Sequence, residues 1–256
     1  MNICAIFRNE GLYIREWLEF HLLVGAQKFY LYQNNSDDDY LPLLQPYIDA
    51  GIVDLTQWPM ARPSQLAAYQ HCIDRLRGQP AWVAFIDCDE FLFSPRFGTV
   101  DEALRSLPRS AIGVNWMCFG GGGQQEWRDA PVIERFVWRP RQSEAVNTHI
   151  KSVIYMEQNV RTGGDPHFFS VEHGTFNENA QPVSGPFSPH SSSLLRVNHY
   201  CTKSYGEWIT RSKLGKPDRA MVEINPQSYW GMQPMEVEDR DIQRFLPALK
   251  ERLALP

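Results

Sequence analysis

The chain has 256 residues, of which 43% are hydrophobic and 21% are charged, and its formal net charge is −5. These values are ordinary for a globular protein and exclude a disordered chain, and the negative charge gives no electrostatic reason to expect nucleic acid as a partner. No run of about 18 apolar residues is present, so a transmembrane segment is not expected. The sequence does not begin with a basic region followed by an apolar core, so we expect a cytoplasmic protein, with peripheral membrane association left open.

The first part of the chain alternates predicted strands with predicted helices. Alternating or continuous apolar runs predict strands at residues 2–7, 28–33 and 52–58. Apolar residues at helical spacing predict the helices between them, at residues 12–24, at residues 41–50 and from Ser64 to Gly78. His21 lies on the apolar face of the first helix, where a hydrogen-bonded core histidine is more common than a ligand.

A fourth strand is predicted from the apolar run 82–86, which leads directly into Asp87-Cys88-Asp89-Glu90. Such a continuous run is typical of a strand covered on both faces. If the strand continues to Asp89, the side chains of Asp87 and Asp89 point to the same side of the chain. Two carboxylates at that position could hold Mn²⁺ or Mg²⁺ together with substrate phosphates. The alternative is a strand end whose carboxylates only cap the next turn.

Thr99 and Glu102 form a capping box that starts a fourth, short helix. Four strands, each followed by a helix, predict a parallel doubly wound sheet, in which ligands bind beyond the carboxyl ends of the strands. Polar clusters at residues 8–10, 34–38 and 87–90 all fall at those ends. The sequence therefore predicts one ligand site at that edge of the sheet.

The second half of the chain is less regular. A strand predicted at residues 112–119 runs into Gly120-Gly121-Gly122-Gly123, which lacks the spacing of a phosphate loop. These glycines indicate a mobile loop or a close approach of two segments, and a plain linker and a substrate lid both stay open. Further predictions are strands at 148–155 and 194–200, a loop with local disorder at 177–193, a helix at 203–214 that ends at Gly215, and a final amphipathic helix carrying Ile242, Phe245, Leu246, Leu249 and Leu253.

Two motifs are specific enough to suggest a family: Glu16-Trp17-Leu18-Glu19-Phe20-His21 and Asp87-Cys88-Asp89-Glu90-Phe91. Others accompany them in order: Arg8-Asn9-Glu10, Gly25, Asn34, Ser36, Asp37, Trp82, Asn115-Trp116, Phe119-Gly120, Glu134-Arg135-Phe136, His199-Tyr200, Lys203-Ser204, Lys213 and Gly215. Together they resemble glycosyltransferase family 92 and its bacterial relatives in the family-2-like group.

The resemblance implies a GT-A fold, which is an α/β architecture with a mixed, mostly parallel sheet flanked by helices. We expect residues 1–220 to form this domain and residues 221–256 to form a C-terminal helical extension. The implied activity is that of a metal-dependent, inverting hexosyltransferase that uses Mn²⁺ or Mg²⁺. It would move a sugar from a nucleotide-diphosphate donor, expected to be a UDP-sugar, to a glycan acceptor.

Carried over residue by residue, the resemblance also implies roles for side chains. The donor and its nucleotide would contact Arg8, Asn9, Glu10, Asn34, Asp37, Asp87 and Lys203. The metal would be held by Asp87, Asp89 and His199, and the acceptor would contact Trp116, Gly120 and His167. The glycine loop departs from the family, whose members often carry Ser or Asn there, so acceptor contacts on it are in doubt.

Inversion requires a general base that takes the proton of the acceptor hydroxyl. Glu134 ranks first because it occupies a family-matching position, whereas Glu126 and Asp129 match no recognised motif. Glu134 and Arg135 could equally form a structural ion pair.

Two other functions stay open. A sugar-nucleotide nucleotidyltransferase is disfavoured because the first strand is followed by Arg8-Asn9-Glu10 and not by a glycine-rich basic signature. A catalytically silent sugar- or nucleotide-binding protein on the same fold is disfavoured because both Asp87 and Asp89 are present.

Overall fold

A computed structural model describes residues 1–61, 63–213, 225, 228–231 and 236–254. The α-helices are α1 (Gly11–Leu23), α2 (Tyr40–Asp49), α3 (Gln65–Leu76), α4 (Val100–Leu104), α5 (Val132–Arg135), α6 (Tyr205–Ser212), α7 (Ser228–Gly231) and α8 (Leu246–Ala254), and 3-10 helices cover Ala145–Thr148 and Asp241–Phe245. The strands are β1 (Asn2–Phe7), β2 (Lys28–Gln33), β3 (Val53–Gln57), β4 (Trp82–Phe85), β5 (Glu90–Phe93), β6 (Ala111–Cys118), β7 (Trp138–Arg139), β8 (Ile150–Tyr155), β9 (Val160–Asp165), β10 (Phe168–Val171), β11 (Thr175–Phe176), β12 (Pro182–Val183), β13 (Arg196–His199) and β14 (Val237–Glu238).

Ten of these strands form the central sheet. The first four strands are parallel to one another in the order β3-β2-β1-β4, as the strand–helix alternation predicts. Strand β8 then runs antiparallel between β4 and β6, and β13 lies between β5 and β6. The predicted mixed, mostly parallel α/β sheet is confirmed.

Apolar residues fill both faces of the sheet. One core cluster contains Trp17 and Phe20 of α1, and the other contains Tyr69 of α3 and Phe85 of β4. Because β4 is covered on both sides, its run of apolar residues needs no polar alternation.

His21 is a core histidine, as the sequence indicated. It is fully buried, its Nδ1 bonds the carbonyl of Trp17 at 2.7 Å, and its Nε2 accepts the backbone N–H of Leu92 at 3.1 Å. Burial lowers the pKa of His21 to about 3, so the ring stays neutral and joins α1 to β5.

The fourth strand is shorter than predicted. It ends at Phe85, and Asp87 to Glu90 form a turn in which the Glu90 N–H donates to the Asp87 carbonyl at 3.1 Å. The Glu90 carboxylate accepts the Asp87 N–H at 2.8 Å, which stabilises the turn from its other side. The prediction that Asp87 and Asp89 share one side of an extended strand is therefore wrong. A separate strand, β5, follows at once and pairs antiparallel with β13.

Two further predictions about the second half need correction. Lys203 precedes α6 with a φ of 51°, so it is not in the first helical turn, and a capping box of Ser204 and Glu207 starts that helix. The predicted helix end at Leu214 and Gly215 lies outside the described residues. The loop expected to be disordered is fixed by Glu178, whose carboxylate accepts the backbone N–H groups of Leu194 and Leu195 at 2.7 and 2.8 Å.

The described C-terminal residues pack on the rest of the chain. Strand β14 pairs with β7, and the final amphipathic helix is observed as a 3-10 turn followed by α8. Ile242 and Leu249 belong to the same core cluster as α1. No helix among the described residues is both long enough and apolar enough to span a bilayer.

Candidate active site

Hydrogen bonds join the polar loops that follow β1 and β2. The Asn9 N–H donates to the Ser36 hydroxyl at 3.0 Å, and the Asp37 N–H donates to Asn9 Oδ1 at 2.9 Å. Gly11 N–H donates to Asp38 Oδ2 at 2.6 Å, and Asn9 has a φ of 56°, which is unusual for a residue with a side chain. The predicted meeting of these two clusters at one edge of the sheet is confirmed.

Arg8 and Asn34 differ in their hydrogen bonding. The Asn34 amide is buried and donates to the carbonyls of Trp58 and Met60 at 2.8 and 2.9 Å, so it braces the loop after β3. Arg8 Nε is also buried, but it has no hydrogen-bond partner within the described part of the chain. A buried donor without a partner is costly, which favours Arg8 over Asn34 as a ligand contact.

Asp87 is neutralised by a lysine from the middle of the sheet. Lys151 of β8 is fully buried, and its Nζ lies 2.8 Å from Asp87 Oδ2 and 3.4 Å from Glu90 Oε2. Gln65 of α3 donates to Asp87 Oδ1 at 2.8 Å. Burial alone would raise the pKa of Asp87, but the charge of Lys151 lowers it, whereas burial raises the pKa of Glu90 well above its usual range.

Asp89 is neutralised by an arginine from a helix. Its side chain is 2% exposed, and Arg211 Nη1 of α6 lies 2.6 Å from Asp89 Oδ2. His199 Nε2 lies 3.5 Å from the same oxygen. Burial would raise the pKa of Asp89, but the charge of Arg211 outweighs it and, with His199, holds that pKa well below its usual range.

A cleft of about 290 Å³ is lined by Arg211, the partner of Asp89, and carries both signs of charge. Residues from the loop after β1, the loop before α5 and helix α6 line it, among them Asn9, Glu10, Glu126, Trp127, Lys203 and Arg211. Burial raises the pKa of Glu10, although Lys203 and Arg211 oppose that shift. Lys203 Nζ lies 4.2 Å from the centre of the Tyr13 ring, a cation–π distance that fixes the ammonium at the cleft wall.

The predicted metal ligands fit a divalent ion in chemistry but are not assembled around one point. No group of three metal-binding side chains is found among the described residues. Both oxygens of Asp87 already accept hydrogen bonds from Gln65 and Lys151. Asp89 Oδ2 is different, because it is buried and accepts no hydrogen bond of good geometry from the described residues. Asp89 and the adjacent His199 are therefore the better candidates for holding Mn²⁺ or Mg²⁺.

The predicted acceptor residues lie among other rings or in packed backbone. The Trp116 ring has His199 at 4.2 Å, His149 stacked at 4.8 Å and His167 edge-on at 4.9 Å, all measured between ring centres. Trp116 Nε1 is buried and has no hydrogen-bond partner among the described residues. His167 lies near Lys151, and burial, followed by that lysine's charge, lowers the pKa of His167 to about 3.

The glycine loop begins as a close packing contact. The Gly120 N–H donates to the Trp138 carbonyl at 3.0 Å, and Gly120 is buried. A Cβ on Gly121 would collide with the Lys203 carbonyl and the Tyr229 hydroxyl. Of the two readings of this loop, close approach of two segments is the one observed at Gly121.

Glu134, the predicted base, contacts the C-terminal helix. Its Oε2 lies 2.7 Å from Lys250 Nζ of α8, and its neighbour Arg135 pairs with Glu207 at 2.6 Å. The alternative of a Glu134–Arg135 ion pair is therefore wrong. The role of Glu134 as a base stays a prediction, and Glu126 is the glutamate of the variable loop that lines the cleft.

Three side chains at the site were not predicted: Lys151, Gln65 and Arg211. Lys151 had a usable signal, because it is a single lysine among the apolar residues Ile150, Val153 and Ile154 of a predicted strand. A lysine in such a strand requires buried carboxylates, and Asp87 and Glu90 were available. Gln65 and Arg211 lie on helices where polar residues are ordinary, so no sequence signal distinguished them.

A family model and a curated relative identify the same family. The sequence model described as glycosyltransferase family 92 matches residues 2–158. A glycosyltransferase family 92 protein of Ricinus communis is 35% identical over 99% of this chain and 49% of its own length. A galactan beta-1,4-galactosyltransferase of Arabidopsis thaliana is 22% identical over 66% of this chain and 38% of its own length.

A crystal structure of S. aureus TarS in complex with UDP-GlcNAc aligns over 98% of this chain and 71% of that chain, with 7% identity and a TM-score of 0.42. The chain spans about half the length of the Ricinus relative. The family match and the observed sheet together confirm the predicted GT-A class of fold. The chain belongs to glycosyltransferase family 92.

Proposed function

We propose that this chain is a glycosyltransferase that moves a sugar from a UDP-sugar to a glycan acceptor with inversion at the anomeric carbon. The observation that carries the proposal is the cleft at the carboxyl edge of the parallel strands, which is lined by Lys203 and by Arg211, whose guanidinium contacts the buried carboxylate of Asp89. A diphosphate leaving group needs positive charge in a site where water is restricted, and these two cations supply it. Membership in the family supports the reaction class.

The nucleoside end of the donor would lie against the joined loops after β1 and β2. Asn9, Glu10 and Asp37 are the polar groups there, and Arg8 contributes a buried donor that has no partner within the described residues. Glu10 lines the cleft beside Lys203, so it is positioned between the loops and the cations. Asn34 would act indirectly, because its amide hydrogen bonds are used to brace the loop after β3.

A bound Mn²⁺ or Mg²⁺ would neutralise charge on the departing diphosphate. Asp89 and His199 are the residues that we propose would hold it, with Asp87 as a further carboxylate once its contact with Lys151 is loosened. Lys203 has its ammonium at the cleft wall, where it would bind phosphate oxygens directly.

The acceptor would approach from the side of Trp116 and His167, with Gly120 contributing through backbone packing. Glu134 is the first candidate for the general base, and Glu126 is the competing candidate because it lines the cleft. The Arabidopsis relative is named a galactan beta-1,4-galactosyltransferase, so UDP-galactose and a β-galactan oligosaccharide are the first donor and acceptor to test.

The test is an assay of UDP release from a panel of UDP-sugars in Mn²⁺, with and without glycan acceptors. The proposal predicts that one sugar nucleotide is turned over, that an acceptor accelerates its turnover, and that the product has the inverted linkage by NMR. UDP binding without release from any panel member would support a silent binding protein. Absence of both binding and release would contradict the proposal.

The same assay distinguishes the two candidate bases. If Glu134 is the base, E134Q lowers transfer by about 100-fold or more while donor binding stays intact. The control is K250M, which removes the ion pair but leaves the carboxylate. Equal losses in E134Q and K250M would show that Glu134 acts only by anchoring α8, and a loss confined to E126Q would assign the base to Glu126.

A further inference from the structure

The cation beside Asp89 Oδ2 does not donate a well-oriented hydrogen bond to that oxygen. The oxygen is buried, and Arg211 Nη1 lies at 2.6 Å, yet no hydrogen bond of good geometry reaches it from the described residues. His199 Nε2, at 3.5 Å, is at the limit of a hydrogen bond. A buried carboxylate must be neutralised in every state of the protein, but here its neutralising contact is not directional.

Arg211 is placed so that it can leave. Its side chain is 36% exposed, lies in the last turn of α6 and lines the cleft together with Lys203. By contrast, the cation of Asp87 is Lys151, which is fully buried and held by a second carboxylate, Glu90. The guanidinium also has the planar, forked donor geometry that matches phosphate oxygens.

We propose that Arg211 occupies the position of the divalent cation on Asp89 when the cleft is empty, and that it transfers to the donor diphosphate when the ion binds Asp89. A guanidinium and a divalent ion on the same oxygen, Oδ2, repel each other, so binding of the ion favours departure of the guanidinium. The diphosphate that accompanies the ion is the nearest anion able to receive the displaced guanidinium. This inference rests on the proposed function, because it requires that the cleft binds a nucleotide diphosphate.

The exchange predicts that removing Arg211 changes the affinities for two ligands in opposite directions. Removing the guanidinium removes a competitor for Asp89, so Mn²⁺ alone binds more tightly. The same removal takes away a phosphate contact, so UDP binds more weakly when Mn²⁺ is saturating. A residue that only stabilised the fold would shift both affinities in the same direction or neither.

The experiment is calorimetry on the full chain with R211M, titrating MnCl₂ alone and then UDP at saturating Mn²⁺. We expect Mn²⁺ affinity to rise by about tenfold and UDP affinity to fall by about tenfold, the change expected for one charge-assisted contact. Thermal unfolding should show a lower melting temperature for R211M in EDTA and a larger rise with Mn²⁺ than for wild type. The control is K213M, which removes an exposed positive charge two residues away and should leave both affinities unchanged.

If R211M does not fold, R211K keeps a positive charge but loses the fork, and both shifts should persist at about threefold. Wild-type affinities for Mn²⁺ and UDP in a folded Arg211 variant would overturn the exchange while leaving the proposed function standing. A wild-type chain that binds neither Mn²⁺ nor UDP would contradict both.

Discussion

The two aspartates of the motif are neutralised by cations of different kinds. Asp87 is bound by Lys151, which comes from a central strand, is fully buried and also contacts Glu90. Asp89 is bound by Arg211, which comes from the end of a helix and is one-third exposed at the cleft. In the first pair the lysine is fully buried and Asp87 is 28% exposed, whereas in the second pair Asp89 is 2% exposed and its arginine lines the ligand cleft.

The difference shows that a D-x-D sequence need not produce two equivalent carboxylates. Lys151 is fully buried and contacts two carboxylates, so Asp87 holds its cation more firmly. A helix-end arginine can change partner by rotating its side chain, so Asp89 is the carboxylate that can accept a ligand. We therefore assign structural support to the Asp87 side and cation exchange to the Asp89 side of the site.

The largest expected effect comes from breaking the Asp87 side. K151M should lower the free energy of unfolding by about 3 kcal/mol, because it leaves the buried Glu90 and the partly exposed Asp87 without their cation. Urea denaturation followed by fluorescence measures this loss. R77M, which breaks the exposed Arg77–Asp74 pair, is the control and should change stability by less than about 1 kcal/mol. A K151M protein as stable as wild type would remove the distinction between the two aspartates.

A smaller effect on stability is expected from His167, which lies near Lys151. Its pKa is about 3 in the folded chain and about 6.5 when unfolded, so the unfolded state binds a proton that the folded state does not. Its contribution to stability is present above pH 6.5 and is lost as the pH falls towards 3. H167Q should therefore lose less stability than wild type between pH 7 and pH 5, by roughly 1–2 kcal/mol, as measured by urea denaturation at each pH.

Parallel slopes of stability against pH in H167Q and wild type would show that His167 titrates normally. H190Q is a useful comparison, because burial also lowers the pKa of His190, but this residue bonds the Asn147 carbonyl away from Lys151. The flatter slope of stability against pH in H167Q can be measured again in the K151M background. If it persists there, burial and not the charge of Lys151 lowers the pKa of His167.

The parallel half of the fold was predictable because each of its elements carries a local signal. Strands β1 and β2 were predicted with their observed bounds, and the capping box at Thr99 and Glu102 forms as expected. The apolar stripe of α1 and the glycines that follow the helices predicted the ends of α1, α2 and α3 to within a residue or two. The meeting of the loops after β1 and β2 followed from the rule that parallel strands end at one edge.

The candidate site was harder to predict because its cations come from distant parts of the chain. Lys151 and Arg211 approach the aspartates across separations of 64 and 122 residues, which no local pattern encodes. The turn at Asp87–Asp89 was predicted only as the alternative, because its stabilising contact, the Glu90 carboxylate on the Asp87 N–H, replaces the usual glycine or proline signal. Local chemistry identified the carboxylates, and only the tertiary structure identified what neutralises them.

The proposed site depends on a divalent ion that Asp89 holds and that binds the diphosphate of a sugar nucleotide. The most direct test is calorimetric titration of UDP into the wild-type chain in Mn²⁺ and, separately, in EDTA, repeated with D89N. We expect UDP to bind at least about tenfold tighter in Mn²⁺ than in EDTA, and this difference to be lost in a folded D89N protein. Equal UDP affinity with and without the metal in the wild-type chain would contradict the proposed site.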